Sequence, residues 1–140
     1  MSKKLSIAIP TYNRLSYLKE CIKSILDQSF QDFSIFVFDN ASNEPVEEEL
    51  KKLNDRRIHF IGNSKNIGQG GNINRILAYP FESEYLVIFL DDDAMHPKML
   101  ELETSFLDAH DDIAFVVSDF RTVSDKTIHN FPSFAKNQIK

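Results

Sequence analysis

Tyr85-Leu86-Val87-Ile88-Phe89-Leu90-Asp91-Asp92-Asp93 decides how this chain reads. The first six residues form a short apolar run rich in β-favouring side chains, the signature of a buried strand. The run ends in three adjacent carboxylates, which repel one another. Nothing is gained by placing them there unless a cation or a set of hydrogen-bond donors offsets that repulsion. In a twisted α/β sheet the carboxyl ends of strands are also where ligands bind. If strand alternation continues through the triplet, Asp91 and Asp93 point one way and Asp92 the other. Two carboxylates on one side suit a hard divalent cation with oxygen ligands, magnesium or manganese.

Outward from this segment, strand and helix patterns alternate. Leu5 to Pro10 is a short apolar strand closed by proline, and Asn13 can cap the next segment. There Leu15, Leu18, Ile22, Ile25 and Leu26 fall at helical spacing, giving an amphipathic helix to about Gln28. Phe33 to Phe38 is a second buried strand. Pro45 to Leu53 reads as a helix with proline in its first turn, acids early and lysines late, matching the helix dipole. Arg57 to Ile61 is a third strand. Gly62 to Gly71 is a loop holding all four glycines of the chain, and Asn72 to Tyr79 is helical. A fourth strand covers Leu86 to Leu90, a helix runs from Pro97 to about His110, and Ile113 to Val117 is a fifth strand. This order predicts an α/β domain with a mostly parallel sheet. From Arg121 to Lys140 the chain turns polar and loses periodicity. It reads as a fragment, as a tail that packs on something else, or as a frayed terminus.

The 140 residues suffice for one domain with one core. The apolar fraction of 42% and charged fraction of 26% are those of a soluble globular protein. A net charge of −5 argues against a nucleic-acid binder, which shows a basic face. Lone Cys21 excludes an intrachain disulfide, falls on the apolar face of the first helix and reads as core; it fits a reducing, cytoplasmic setting. No apolar stretch is long enough to span a bilayer. His59 reads as a packed or edge-strand residue, and His96, His110 and His129 lack metal-ligand spacing.

If the strands run parallel, four segments meet at one sheet edge. The first strand delivers Pro10-Thr11-Tyr12-Asn13-Arg14, the second Asp39-Asn40-Ala41-Ser42, the third leads to Asn66 through Asn74, and the fourth delivers the triplet. An aromatic ring, hydroxyls, an isolated carboxylate, a glycine-rich loop and a candidate metal site are the parts a nucleoside diphosphate requires. Each part alone has a plainer reading: a strand end, a helix cap, turn chemistry at Asp39, a flexible loop, a solvated acidic turn. The glycines match neither a dinucleotide-binding fingerprint nor a P-loop.

In this order the motifs resemble the family 2 glycosyltransferases of GT-A fold. The resemblance rests on Ile7 through Arg14, Val37 through Ser42, Asn66 through Asn74, and Phe89 through Asp93, and covers roughly residues 5 to 118. It implies a Rossmann-like three-layer GT-A domain over residues 1–120, truncated at the C-terminus, with 121–140 a polar tail or the start of an acceptor-binding half. It implies transfer of a sugar from a nucleotide diphosphate sugar to the hydroxyl of a saccharide or lipid-linked acceptor, with inversion and with manganese or magnesium. The donor would be bound by Pro10, Thr11, Tyr12, Arg14, Asp39, Asn66, Gly68, Asn72, Asn74, Asp91 and Asp92, and the metal by Asp91 and Asp93. Thr11 and Tyr12 would line the base pocket, and Asp39 would accept a hydrogen bond from the base. A cytoplasmic location, with peripheral association at the inner face of a membrane, and a role in surface polysaccharide assembly are implied by the same resemblance, which leaves the oligomeric state open.

The chain departs from the family pattern twice. Asn72-Ile73-Asn74 stands where the family often has Ala-Arg-Asn, leaving Arg75 as the nearest arginine. The general base of inverting members lies well beyond the triplet, and Asp119 and Asp125 are poor candidates for it. Two alternatives therefore stand beside the enzyme: a non-catalytic nucleotide-sugar-binding module, and a metal-dependent nucleotidyltransferase on a related sheet.

Overall fold

The computed structural model describes residues 3–120 and Thr122. Its elements are β1 (Leu5–Thr11), α1 (Leu15–Leu26), β2 (Phe33–Asp39), α2 (Val46–Lys52), β3 (Ile58–Gly62), α3 (Gly68–Leu77), β4 (Tyr85–Ile88) and α4 (Met99–Asp108). The strands form one sheet in the order β3-β2-β1-β4, and every pairing is parallel. All strands therefore deliver their carboxyl ends to the same edge, as the alternating pattern predicts.

Side-chain alternation along the strands builds the layers. Leu5, Ile7, Ile9, Phe33, Ile35 and Val37 point to one face and pack with Leu18, Ile22 and Ile25 of α1, Val46 and Leu50 of α2, and Leu100 of α4. Ala8 and Phe38 point to the other and pack with Ile76 of α3 and the partly buried Phe36, Ile61, Tyr79 and Phe81. The result is three layers, with α1, α2 and α4 below the sheet and α3 above it. Ile7, fully buried in the central strand, is expected to lose about 2–5 kcal/mol of stability on replacement by alanine, through lost burial and the cavity left behind. Urea unfolding measures this.

Several expectations are corrected. The sheet, wholly parallel among the described residues, bears out the fold class, and the corrections are local. Residues 113–117 form no strand; Phe115 and Val117 are 75% and 79% exposed, and no strand among the described residues offers them a ladder. The glycine-rich stretch is a loop only up to Ile67. Gly68, at φ +78°, turns the chain into α3, which thus begins four residues before Asn72. Asn13 does not cap α1. It adopts φ +50°, its side-chain oxygen accepts from the Asn43 N–H, and the Leu15 N–H is met instead by the Glu44 carboxylate. Thr122 apart, the 121–140 segment lies outside the described residues, with Asp125 and His129.

Pro10 lies inside β1 rather than ending it, opposite Phe38 of β2. The Phe89 N–H donates to Ala8 O on the β4 side, and the Asn40 N–H to Thr11 O on the β2 side. Alternation then puts the N–H that Pro10 lacks on the β4 side, so the β1–β4 ladder stops there. Freed from pairing, the chain after Phe89 turns across the end of β1.

Candidate functional site

That turn carries the acidic triplet. Asp91 and Asp92 sit in a tight turn closed by Asp93 N–H donating to Leu90 O at 3.2 Å. Strand alternation does not reach them, so the expected same-side pairing of Asp91 and Asp93 has no strand to enforce it. Asp91 points inward and is 5% exposed. Thr11 Oγ1, at the end of β1, donates to Asp91 Oδ2 at 2.8 Å. Arg14, just before α1, donates through Nη1 to Asp92 Oδ2 at 2.8 Å and stands 3.5 Å from Asp91 Oδ1. Asp93 is exposed, and its carboxylate has no hydrogen-bond or ion-pair partner among the described residues.

Burial raises the Asp91 carboxyl above its ordinary value, against the lowering effect of Thr11 and Arg14. Burial, then the Asp92 charge, raises Asp93. A carboxylate with a raised folded-state value destabilises the fold once ionised, and that penalty fades as pH falls through the raised value. Asp93→Asn is therefore expected to raise the melting temperature slightly at neutral pH. The gain, below about 1 kcal/mol for a partly exposed group, should shrink towards about pH 4. Thermal melts at the two pH values read this directly. Cys21, beneath the triplet, has its thiol pushed far up by burial first and then by the three aspartates; it is a core residue, as expected.

Beside the triplet, the register sets Thr11 opposite Asp39. Both Asp39 oxygens accept from Ser42, one from its N–H at 3.1 Å and the other from its hydroxyl. Ala41, at φ +62°, makes the turn that allows this. Ser42 Oγ in turn accepts the Asn13 N–H at 2.8 Å, so the loops after β1 and β2 are pinned together. Tyr12 lies on this ridge with 42% of its surface exposed.

On the β3 side an amide network fixes the start of α3. Asn40 Nδ2 donates to Asn66 Oδ1 at 2.9 Å, and Asn40 Oδ1 accepts from Asn63 Nδ2 at 2.9 Å and from Ile67 N–H at 3.0 Å. Asn66 Oδ1 also accepts the Gly68 N–H at 2.8 Å. Asn72, 2% exposed, donates to Phe38 O at 2.8 Å and accepts from Asn63 at 3.2 Å. The Arg75 guanidinium donates to Asn63 Oδ1 and lies 5.9 Å from the Phe38 ring, so it is engaged within the fold. Asn74 is exposed on α3. A Cβ on Gly68 or Gly70 would meet nothing within 4 Å, so packing does not explain glycine at 70.

Thr11, Arg14, Asp91 and Asp92 thus converge directly. Tyr12 and Asp39 flank them, and Asn66, Gly68 and Asn72 form a second group tied together through Asn40. Asn40 and Asn63 are the residues that sequence reasoning did not single out as site members; their positions one residue past β2 and β3 were the available signal. No group of three or more His, Cys, Asp or Glu side chains forms a ready cation cage among the described residues. Magnesium and manganese sites beside phosphates need none, since one or two carboxylates with phosphate oxygens and water suffice. Carboxylate oxygens of which one set, on Asp93, is unpartnered fit such an ion.

Known proteins share this arrangement of chain. The family model for Glycosyl transferase family 2 matches residues 6–138. An uncharacterised glycosyltransferase of Methanocaldococcus jannaschii is 37% identical over 123 residues, covering 84% of this chain and 42% of its own length. The crystal structure of Staphylococcus aureus TarS 1–349 in complex with UDP superposes with a TM-score of 0.70 at 27% identity, covering 77% of this chain and 33% of that one. A mannosyltransferase of Pyrobaculum calidifontis, in complex with GDP-Man and Mn2+, shares the fold with a TM-score of 0.66 at 18% identity, covering 76% of this chain and 33% of that one. The chain therefore spans less than half the length of each of these proteins. No helix among the described residues is long and apolar enough to cross a membrane.

Proposed function

The chain belongs to glycosyl transferase family 2, and from that premise we propose that it forms the donor-binding part of an enzyme that transfers a sugar from a nucleotide diphosphate sugar to an acceptor hydroxyl. The observation that carries this is the convergence of Thr11, Arg14, Asp91 and Asp92 beside an unpartnered Asp93 on one sheet edge. The likeness to a protein crystallised with UDP supports it.

In this reading residues 1–120 are the nucleotide-sugar-binding domain. Tyr12 offers an exposed ring for the base, and Asp39, oriented by Ser42, keeps lone pairs free to accept from it. Glycines 68 and 70 leave open space for a diphosphate or sugar at the start of α3. Asn66 and Asn72 hold that start in place, with Asn74 exposed on the same helix. Asp93, with Asp91, would hold manganese or magnesium, which when bound neutralises charge on the departing nucleoside diphosphate. Inversion requires a base to take the proton of the attacking hydroxyl. We assign no described residue to that role and place it in the further length that the family relatives possess. A saccharide or lipid-linked acceptor and a place at the inner face of a membrane belong to the same proposal.

Saturation-transfer NMR with UDP-, GDP-, CDP- and dTDP-linked sugars in the presence of diamagnetic magnesium tests it. At least one donor should show saturation of both base and sugar protons; signal from none of them would reject the reading. A second reading, a nucleotide-sugar-binding module without turnover, is motivated by Ile73 standing where the family pattern has an arginine, and by Arg75, two positions on, being engaged with Asn63. Turnover by the full-length protein would reject that module.

A further inference from the structure

Of the two carboxylates proposed to hold a cation, Asp91 is already faced by a charge of the chain's own, while Asp93, among the described residues, is not. Arg14 Nη1 lies 2.8 Å from Asp92 Oδ2 and 3.5 Å from Asp91 Oδ1. The Arg14 side chain is 52% exposed and that of Asp91 8%, so the guanidinium reaches in from solvent to cover a buried carboxylate. Thr11 takes the other Asp91 oxygen. The backbone around Arg14 is fixed: its carbonyl accepts the Leu18 N–H at 2.9 Å, and Asn13 is pinned by Ser42 and Asn43. Its side chain makes no capping bond to α1. The side chain alone is therefore free to swing. A planar guanidinium pairs as well with phosphate as with carboxylate.

We propose that Arg14 is a displaceable counter-ion, anchored on Asp92, which covers Asp91 against a divalent cation until a diphosphate draws the guanidinium away. Cation and nucleoside diphosphate then bind as a coupled pair rather than independently. This rests on the donor-site reading and adds to it an order of events and a residue that sets it. A double and a single positive charge on the order of 6 Å apart in water repel enough to weaken cation binding about tenfold. Arg14 acts here as a positioning residue, through the carboxylates it holds.

The test is manganese uptake by the 140-residue chain, read from the free-ion electron paramagnetic resonance signal, with and without UDP, GDP, CDP or dTDP. R14Q and R14A should bind manganese alone about tenfold more tightly than the wild type. R14K, which keeps the charge, should stay close to the wild type. The tightening of manganese by the nucleotide should shrink in R14Q. Calorimetry of the nucleotide with and without manganese must give the same coupling, since linkage is reciprocal. Thermal melts must establish that each variant folds, since Arg14 also covers the buried Asp91 carboxylate. Equal or weaker manganese binding in R14Q and R14A, or unchanged coupling, overturns the role of Arg14 while leaving the donor site standing. A wild type that takes up no manganese alone or with UDP, GDP, CDP or dTDP overturns both.

Discussion

Replacing Asp93 with alanine is expected to weaken manganese-dependent nucleoside diphosphate binding on the order of a hundredfold, about 2.7 kcal/mol, without destabilising the fold. The two halves of this result come from one fact. Asp93 is exposed and pairs with nothing among the described residues, so the fold loses no interaction with it. Its removal also relieves the repulsion from Asp92 that helps raise its carboxyl. For a cation bridging to phosphate, however, it is the carboxylate with both oxygens available. Asp91 is the contrasting case. It is buried and bonded to Thr11, so Asp91→Ala should damage both the site and stability, leaving the Thr11 hydroxyl without its acceptor. Calorimetry and thermal melts on the two variants separate these effects. A fall in melting temperature in Asp93→Ala comparable to that in Asp91→Ala would contradict the assignment.

Asn40→Ala is expected to destabilise the protein by roughly 3 kcal/mol, with the loss centred on the β3–α3 side. Asn40 is 4% exposed and its amide serves Asn66, Asn63 and the Ile67 N–H at once. Truncation removes three bonds at once; exposed Asn66 and Ile67 can turn to water and half-buried Asn63 less so, so the net loss is about 1 kcal/mol per bond. The partners also set the start of α3, through Asn66 to Gly68. Hydrogen exchange should therefore show amides 66–72 losing protection first, while β1 keeps it. Uniform loss, or a change within about 0.5 kcal/mol, would show that the network is not needed to hold the α3 start.

The strands and helices were legible because their apolar spacing is set by burial on one or two faces. Leu18, Ile22 and Ile25 recur at helical spacing and are all buried in α1. The run 33–38 lies in β2 with Phe33, Ile35, Val37 and Phe38 buried. The convergence of Thr11 with the triplet was legible too, since parallel order sends every strand end to one edge. What failed were features decided by tertiary partners. Ile113 to Val117 has strand composition, but a strand needs a ladder and none is offered among the described residues. Strand alternation could not orient Asp91 and Asp93, because Pro10 ends the β1–β4 ladder first. The amide network joins Asn40 to residues 23 and 26 positions away, a pairing with no local sequence signal. Glu44 meeting the first N–H of α1 is of the same kind.

The central claim is that this sheet edge binds a nucleoside diphosphate through a divalent cation held at the triplet. Calorimetric titration of the chain with UDP, GDP, CDP and dTDP, each with and without manganese, tests it most directly. At least one of them should bind with manganese, and both omission of manganese and Asp93→Ala should abolish or greatly weaken that binding. No binding by any of them in either condition, or binding indifferent to both manganese and Asp93, would contradict the claim.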